Sequence, residues 1–546
     1  MALIRIDDRE IEAPAGENLL RVALKNGIAI PFFCYHPALS VVGQCRMCLV
    51  KVEGAPKLLP ACSTLVAELP EDKKFEGKYD MVVETASEEV KQAQRGVLEL
   101  QLINHPLDCP ICDQAGECML QEYAYEYGDS SSRMEFEKVH SPKRVDFGPH
   151  IVFDSERCIK CTRCIRFCRE ITKTNELTMA HRGVWNEIQL FHDRKLDNPY
   201  SLCTADLCPV GALTSKEFRF KERVWFLASA NSVCPECSRG CSARYDTYRG
   251  EILRLVPIDN PKVNGPWMCD YGRLLTERIK GIERLDMPAF RRGSSLERHP
   301  WPAFAGKFLE KLSFYRKDFK KTLAVILSGR MTLEELIAYE TLSEALFSDV
   351  SGTAPNVTRG EDDDLLIRKE KRPNLEGARR LGIAVSEENA AVADLLKGKK
   401  TALIVREDPL GDVEDEEAKA ALEKALTGLD LLIVADDALT ETAKLAHVVI
   451  PLPAWHEMEG TTVNFLGTLQ KTARVLIPPR NRKPFYEAAS LLLQAEGVEA
   501  PGGSFGPWFS KVKERIPELS ELRVRDLLPH GVRLAGGDES ASGGEA

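Results

Sequence analysis

Several things are missing from this sequence, and each absence excludes a class of protein. No stretch of the 546 residues approaches the ~20 apolar residues that a membrane-spanning helix needs. There is no basic excess either. Lys and Arg number 73 against 83 Asp and Glu, and the net charge of −10 argues against a nucleic-acid binder. The N-terminus, Met-Ala-Leu-Ile-Arg-Ile, lacks the basic, apolar and small-residue order of a secretory signal, so a cytosolic-side protein is expected. No G-x-G-x-x-G or Walker loop occurs in strand–helix context, which leaves a dinucleotide site little support. Finally, no cysteine follows Cys269, although 17 lie at or before it. An odd number at short fixed intervals in a reducing compartment points to soft-metal ligation rather than disulfides. The chain divides into a cysteine-dense front and a cysteine-free rear.

What is present in the front falls into four sets. The first is Cys34-x10-Cys45-x2-Cys48-x13-Cys62. Ahead of it, Ala2 to Ile6 and Glu10 to Ala13 read as a hairpin, and Glu17 to Lys25 as a helix ended by Gly27. Leu49 to Val52 alternates like a strand. Three cysteines on one loop with a distant fourth match the plant-type [2Fe–2S] pattern, with a longer first interval. Gly43 is expected to leave room for backbone to approach sulfide; a four-cysteine zinc site is the alternative. The second set is His105, Cys109, Cys112 and Cys118, in a loop bent by Pro106, Pro110 and Gly116. Histidine beside three close cysteines reads as the fourth ligand, of either a [4Fe–4S] cluster or zinc.

The third set is Cys158-x2-Cys161-x2-Cys164, completed by Cys208 in Cys208-Pro209-Val210-Gly211-Ala212. Two-cluster ferredoxins carry the run C-x2-C-x2-C-x3-C-P twice, each fourth cysteine serving the other cluster. Laid back from Cys208, that run falls on Thr204, Ser201 and Asn198, so a single [4Fe–4S] cluster remains. Cys168 is the stranded ligand of the lost cluster, Cys203 is out of register, and both read as inert buried thiols. The fourth set is Cys234-x2-Cys237-x3-Cys241-x27-Cys269, a further [4Fe–4S] candidate with a zinc ribbon as the alternative.

The rear reads as α/β. Apolar strands are expected over Thr322–Leu327, Ala402–Val405, Leu431–Val434 and Val448–Ile450, alternating with helices in a doubly wound sheet. Thr332-Leu333-Glu334-Glu335 is a capping box opening a helix with Leu333, Leu336, Ile337 and Leu342 on one side. His447, His456 and Glu457 read as part of an exposed polar turn. Residues 536–546 read as a polar, disordered tail.

The runs around Cys34 to Cys62, Asn104 to Gln121, Cys158 to Cys164 and Cys208 to Leu213 resemble the large iron–sulfur subunit (the G-subunit) of bacterial respiratory NADH–quinone oxidoreductase, complex I. Asp364–Arg368, Pro373-Asn374 and Glu459 through Gln470 resemble that family's molybdopterin-oxidoreductase-like domain. The resemblance implies a multidomain α+β then α/β chain. It would comprise a β-grasp [2Fe–2S] ferredoxin domain at 1–78, a [4Fe–4S] domain with one His and three Cys ligands at 79–137, and a ferredoxin-like domain with one cluster lost at 138–217. A four-cysteine [4Fe–4S] domain at 218–280, a cofactor-free α/β domain at 281–500 and a C-terminal extension at 501–546 would follow. One [2Fe–2S] and three [4Fe–4S] clusters are implied, with no molybdopterin, and with the set ending at Cys269 similar to an extra cluster found only in some bacterial members.

Two departures bear on the rear domain. Tyr271 stands where pterin enzymes often carry a lysine, and Thr468 where an arginine is common. The domain is also short for the family. The implied role is an electron-transfer subunit of a proton-translocating respiratory complex, without a substrate-converting site of its own. Its partners would be a flavin/NADH-binding subunit and other iron–sulfur subunits, and its place the cytoplasmic face of the bacterial inner membrane, as a peripheral subunit. An NAD-linked formate dehydrogenase or an iron-only hydrogenase would need cysteine or selenocysteine in the rear. A diaphorase-type subunit of a soluble hydrogenase remains the alternative, and a structural zinc protein a third class.

Overall fold

The computed structural model describes residues 1–535; the expected tail, 536–546, lies outside the described residues. Two compact units divide between Leu227 and Ala228. None of the described helices is long and apolar enough to cross a membrane.

The first unit opens with a five-stranded sheet in the order Arg9–Ala13, Ala2–Ile6, Met81–Glu84, Leu49–Val52, Leu59–Pro60. Ala2 pairs antiparallel with Ala13, and Ile4 parallel with Met81. Ala2, Ile4 and Ile6 are fully buried while Leu3 and Arg5 are not, the period of a half-covered strand. Helix Leu19–Lys25 buries Leu19, Leu20, Val22 and Ala23. It starts two residues later than the Glu17 expected, because the Asn18 side chain accepts from Arg21 N at 3.0 Å and so caps the first turn. Met81–Glu84 belongs to this first sheet although it lies past residue 78. Helices Glu88–Leu102 and Met119–Tyr127 follow. The unit ends with the small sheet Leu213–Ser215, Ile151–Phe153, Val145–Asp146 and the hairpin Leu177–Ala180 with Glu187–Leu190. Residues past 217 still pack on it: Phe220 N donates to Asp113 at 2.8 Å and Arg223 Nη1 to Cys112 O at 2.6 Å.

The second unit begins with an antiparallel sheet of Ala228–Val233, Ser242–Tyr248 and Glu251–Pro257. Its main sheet has eight strands. Six are parallel, in the order Ala384–Glu388, Thr353–Asn356, Leu323–Leu327, Thr401–Val405, Leu431–Asp436, Val448–Pro451. Numbered along the chain this order is 3-2-1-4-5-6, the doubly wound arrangement expected. All five residues of Leu323–Leu327 are buried, as a strand covered on both faces requires. The hairpin Ala289–Arg292 and Ser295–Arg298 extends the edge.

Two local readings are corrected. Helix Leu333–Leu346 has its capping box, but its buried set includes Glu334, Glu335, Ala338, Tyr339 and Ser343 besides the four apolar residues expected. It is enclosed rather than amphipathic, because its acids have internal partners. Glu335 pairs with Arg406 at 2.8 Å, and Glu334 accepts from Thr461 N at 2.8 Å and Thr461 Oγ1 at 2.7 Å. Likewise His456 and Glu457 are buried, not part of an exposed turn. Glu457 accepts from Ala454 N at 2.8 Å and pairs with Arg284 at 2.7 Å, while half-buried His447 accepts through Nδ1 from Leu432 N.

Burial pushes the Glu334 carboxyl up to about 7, so the folded state holds its proton more tightly than the unfolded chain does. The stability this lends is present at low pH and is lost as pH rises through 7. Glu334→Gln keeps both Thr461 contacts without the charge. It is expected to stabilise the second unit by about 1–3 kcal/mol at pH 8 and by little at pH 5, read by thermal unfolding at the two pH values.

Candidate metal centres

In the first set, Cys34, Cys45, Cys48 and Cys62 are all buried. Cys48 immediately precedes strand Leu49–Val52, and Cys62 sits in the turn Ala61–Ser63. Cys34 hydrogen-bonds with Cys45 and Cys62, and Cys48 with Cys62, so the four sulfurs form one group. Cys45 Sγ also accepts from Phe33 N and Cys34 N at 3.4 and 3.5 Å. Those neighbours bring the Cys34 thiol down to about 2 and push Cys45 and Cys62 up. Gly43 has a role different from the one expected. A Cβ there meets nothing closer than Ser63 Oγ at 3.7 Å, and it is the φ of +58° that calls for glycine.

The second set hangs between helices Glu88–Leu102 and Met119–Tyr127, with Cys118 at the N-cap of the latter. His105, Cys109 and Cys118 line one open cleft, with Leu98, Leu102 and Leu120. Burial brings the His105 imidazole down to about 4. Its ring is therefore neutral near pH 7, the form that ligates metal. Arg157 Nη2 holds Asp108 at 2.7 Å beside Cys109.

The third set rings a void. Cys158, Cys161, Cys164 and Cys208, with Phe153, Ile188 and Val210, wall one small pocket. Lys160 and Thr162 take left-handed φ of 57° and 62°, which coils the loop so that three sulfurs face inward. Burial pushes all four thiols up, Cys161 to about 11. Such sulfurs become thiolates only when a cation compensates the charge. Cys168 and Cys203 are buried and do not line the void; Cys168 hydrogen-bonds with the Glu176 side chain. The second and third sets touch. Met119 N donates to Pro209 O at 3.0 Å, and a Cβ on Gly211 would overlap Cys112 Sγ.

In the fourth set, Cys234 and Cys241 close a hairpin, Cys234 N donating to Cys241 O at 2.9 Å. Cys269 caps the turn Asp270–Arg273, its Sγ accepting from Gly272 N at 3.4 Å. Desolvation pushes Cys234, Cys237, Cys241 and Cys269 up, the last to about 12. Tyr271 is 52% exposed, with the Arg278 guanidinium 3.8 Å from its ring centroid, while Thr468 is fully buried. Among the described residues no three His, Cys, Asp or Glu side chains form a group that would hold a single metal ion.

The cysteines and His105 were visible in the sequence; the arginines around them were not. Buried Arg163 and Arg166 reach the carbonyls of Tyr35 and Cys34, more than 120 residues away in sequence. Only the crowding of cations among thiol ligands hints at them. Gly211, quoted as part of a motif, proves to be a point of close approach between two sets. Gly211→Ala is expected to displace Cys112 and lower the iron bound per chain, with Cys34, Cys45, Cys48 and Cys62 unaffected. Iron analysis and the visible spectrum check this.

Four family models match the chain: the 2Fe-2S iron-sulfur cluster binding domain (2–69), the NADH-ubiquinone oxidoreductase-G iron-sulfur binding region (94–133), the ferredoxin-like domain of NADH-quinone oxidoreductase subunit 3 (148–214) and molybdopterin oxidoreductase (369–494). The G-subunit of NADH-quinone oxidoreductase from Rickettsia felis is 36% identical over 349 residues, 64% of this chain and 50% of that protein. Its Mycobacterium bovis counterpart is 38% identical over 341 residues, 62% of this chain and 41% of that protein. The chain thus spans about half the length, or less, of these curated relatives. A chain of an NAD+-reducing [NiFe]-hydrogenase overlays 41% of this chain and 91% of its own at 26% identity, with a TM-score of 0.35. In its ligand loops, its matched domains and these relatives, the chain is similar to the large iron–sulfur subunits, the G-subunits, of NADH-quinone oxidoreductases.

Proposed function

We propose that this chain is an electron-transfer subunit of an NADH–quinone oxidoreductase, and that it converts no substrate by itself. The observation that carries the reading is the third set: four cysteines from two distant segments wall one pocket, and the two spare cysteines stay out of it. In this reading Cys34, Cys45, Cys48 and Cys62 hold a [2Fe–2S] cluster. His105, Cys109, Cys112 and Cys118 hold a [4Fe–4S] cluster, as do Cys158, Cys161, Cys164 and Cys208, and Cys234, Cys237, Cys241 and Cys269. Bound there, the clusters would supply one-electron redox chemistry. The residues do the rest. Buried thiols exclude water, Asp108 and Arg157 fix the loop of the second set, and the neutral imidazole of His105 presents a lone pair.

The domain plan of 1–78, 79–137, 138–217, 218–280, 281–500 and 501–546 belongs to this proposal, with the first boundary moved past Met81–Glu84 and the third to Leu227. So do the partners, a flavin/NADH-binding subunit and other iron–sulfur subunits, and a peripheral place on the cytoplasmic face of the bacterial inner membrane. The second unit is proposed to hold no molybdopterin. In doubly wound sheets a ligand sits where strand order reverses, here between Leu323–Leu327 and Thr401–Val405. Past those strand ends, Asn374 N donates to Gly329 O at 2.8 Å, and buried Arg372 engages Glu407 and Asp412.

EPR of the anaerobically purified full chain at graded potentials tests this, with iron and zinc analysis alongside. Four iron–sulfur centres are expected, one of them [2Fe–2S]; colourless or zinc-bearing protein overturns the reading. Within the same titration, His105→Cys replaces a neutral ligand by a thiolate and makes its centre more negative by one charge. Its midpoint is expected to fall while the other three stay in place.

A further inference from the structure

The turn Arg163–Arg166, between two ligands of the third set, carries two cations that ligate nothing themselves. Arg163 is 6% and Arg166 2% exposed. Arg163 donates through Nη2 to Tyr35 O at 2.6 Å and through Nη1 to Leu207 O at 3.2 Å, with its guanidinium 5.8 Å from the Phe32 ring centroid. Arg166 donates through Nη1 to Ser40 O, and through Nη2 to both Cys34 O and, at 3.4 Å, Cys161 O. Every oxygen acceptor is thus a backbone carbonyl, on a loop that carries the first or the third set. Tyr35 follows Cys34, and Leu207 precedes Cys208.

Among the described residues neither guanidinium has a carboxylate within ion-pair distance, and the Nε of each is buried without a hydrogen-bond partner. Two unpaired cations in a dry interior cost several kcal/mol each unless negative charge lies near. Carbonyl dipoles supply part of it. Cys34, Cys161 and Cys208 lie within electrostatic reach of Arg163, and they become negative when they ligate metal.

We propose that Arg163 and Arg166 are positioning residues shared by the first and third sets: they act as common counter-charges that raise the potentials of both centres together, and they tie the two ligand loops at a fixed separation. This rests on the reading that both sets hold clusters. Clusters held by the two sets would supply one-electron chemistry, and the two cations, bonded to both loops, would stay beside either centre whichever were reduced. A simple loop staple would use the same hydrogen bonds but would not need the charge.

The test is an EPR-monitored redox titration of the full chain bearing its clusters, with Arg166→Gln and Arg166→Lys beside the parent. For Arg166→Gln the reduced-to-oxidised ratio at a fixed poise is expected to drop about tenfold at both the [2Fe–2S] centre and the third-set [4Fe–4S] centre, about 59 mV for a one-electron couple. The second and fourth centres stay in place and serve as internal controls. Arg166→Lys keeps the charge and should recover most of the shift at both. A shift at one centre alone, no shift with iron retained, or Lys behaving like Gln would overturn the proposal. If Arg166→Gln sheds iron, Arg166→Lys decides: iron kept with both potentials near the parent's supports it, whereas iron lost or both potentials displaced refutes it. A parent chain without these two signals would refute the cluster assignment instead.

Discussion

The cysteine loops of both units depend on placing sulfur where water is not. A thiol in a dry interior resists ionisation, and the third and fourth sets push theirs up by desolvation first of all. Metal–thiolate bonding is the interaction that can offset that cost, and it makes ligand binding and folding one process. The local backbone follows from it. Ligands sit on loops whose left-handed turns, at Lys160 and Thr162, aim successive sulfurs at a common space, which a regular helix of that length could not do. Regular elements start just after the ligands: a strand after Cys48, a helix after Cys118 and another after Cys269.

That dependence explains what could be read in the sequence. Ligand spacing is a local property, so the four sets, and the exclusion of Cys168 and Cys203 from the third void, could be argued by laying one repeat over another. The parallel strands announced themselves by unbroken apolar runs, and Thr332 with Glu335 by a capping box. What escaped were features set by distant partners. Glu334 and Glu335 look like the solvent side of a helix until Thr461 and Arg406 are in place. His456 and Glu457 look like a polar turn until Arg284 reaches Glu457. Arg163 and Arg166 look like surface cations between cysteines, because Cys34 and Tyr35 are far back in the chain. In each case a charged residue is inside because another element completes its hydrogen bonds, and periodicity carries no record of that.

Buried cations are held in two ways. In the second, each buried cation at the sheet's carboxyl edge has its own acid: Arg372 has Glu407 and Asp412, and Arg406 has Glu335. Such pairs are costly to break and contribute less to stability than to fixing one arrangement. They also lie near the carboxyl ends of the strands, where Glu407 and Asp412 line an open cleft. In the first unit the buried pair Arg163 and Arg166 has carbonyls and sulfurs but no acid. Arg372 is thus closed by its own acids, whereas Arg166 is held by backbone carbonyls.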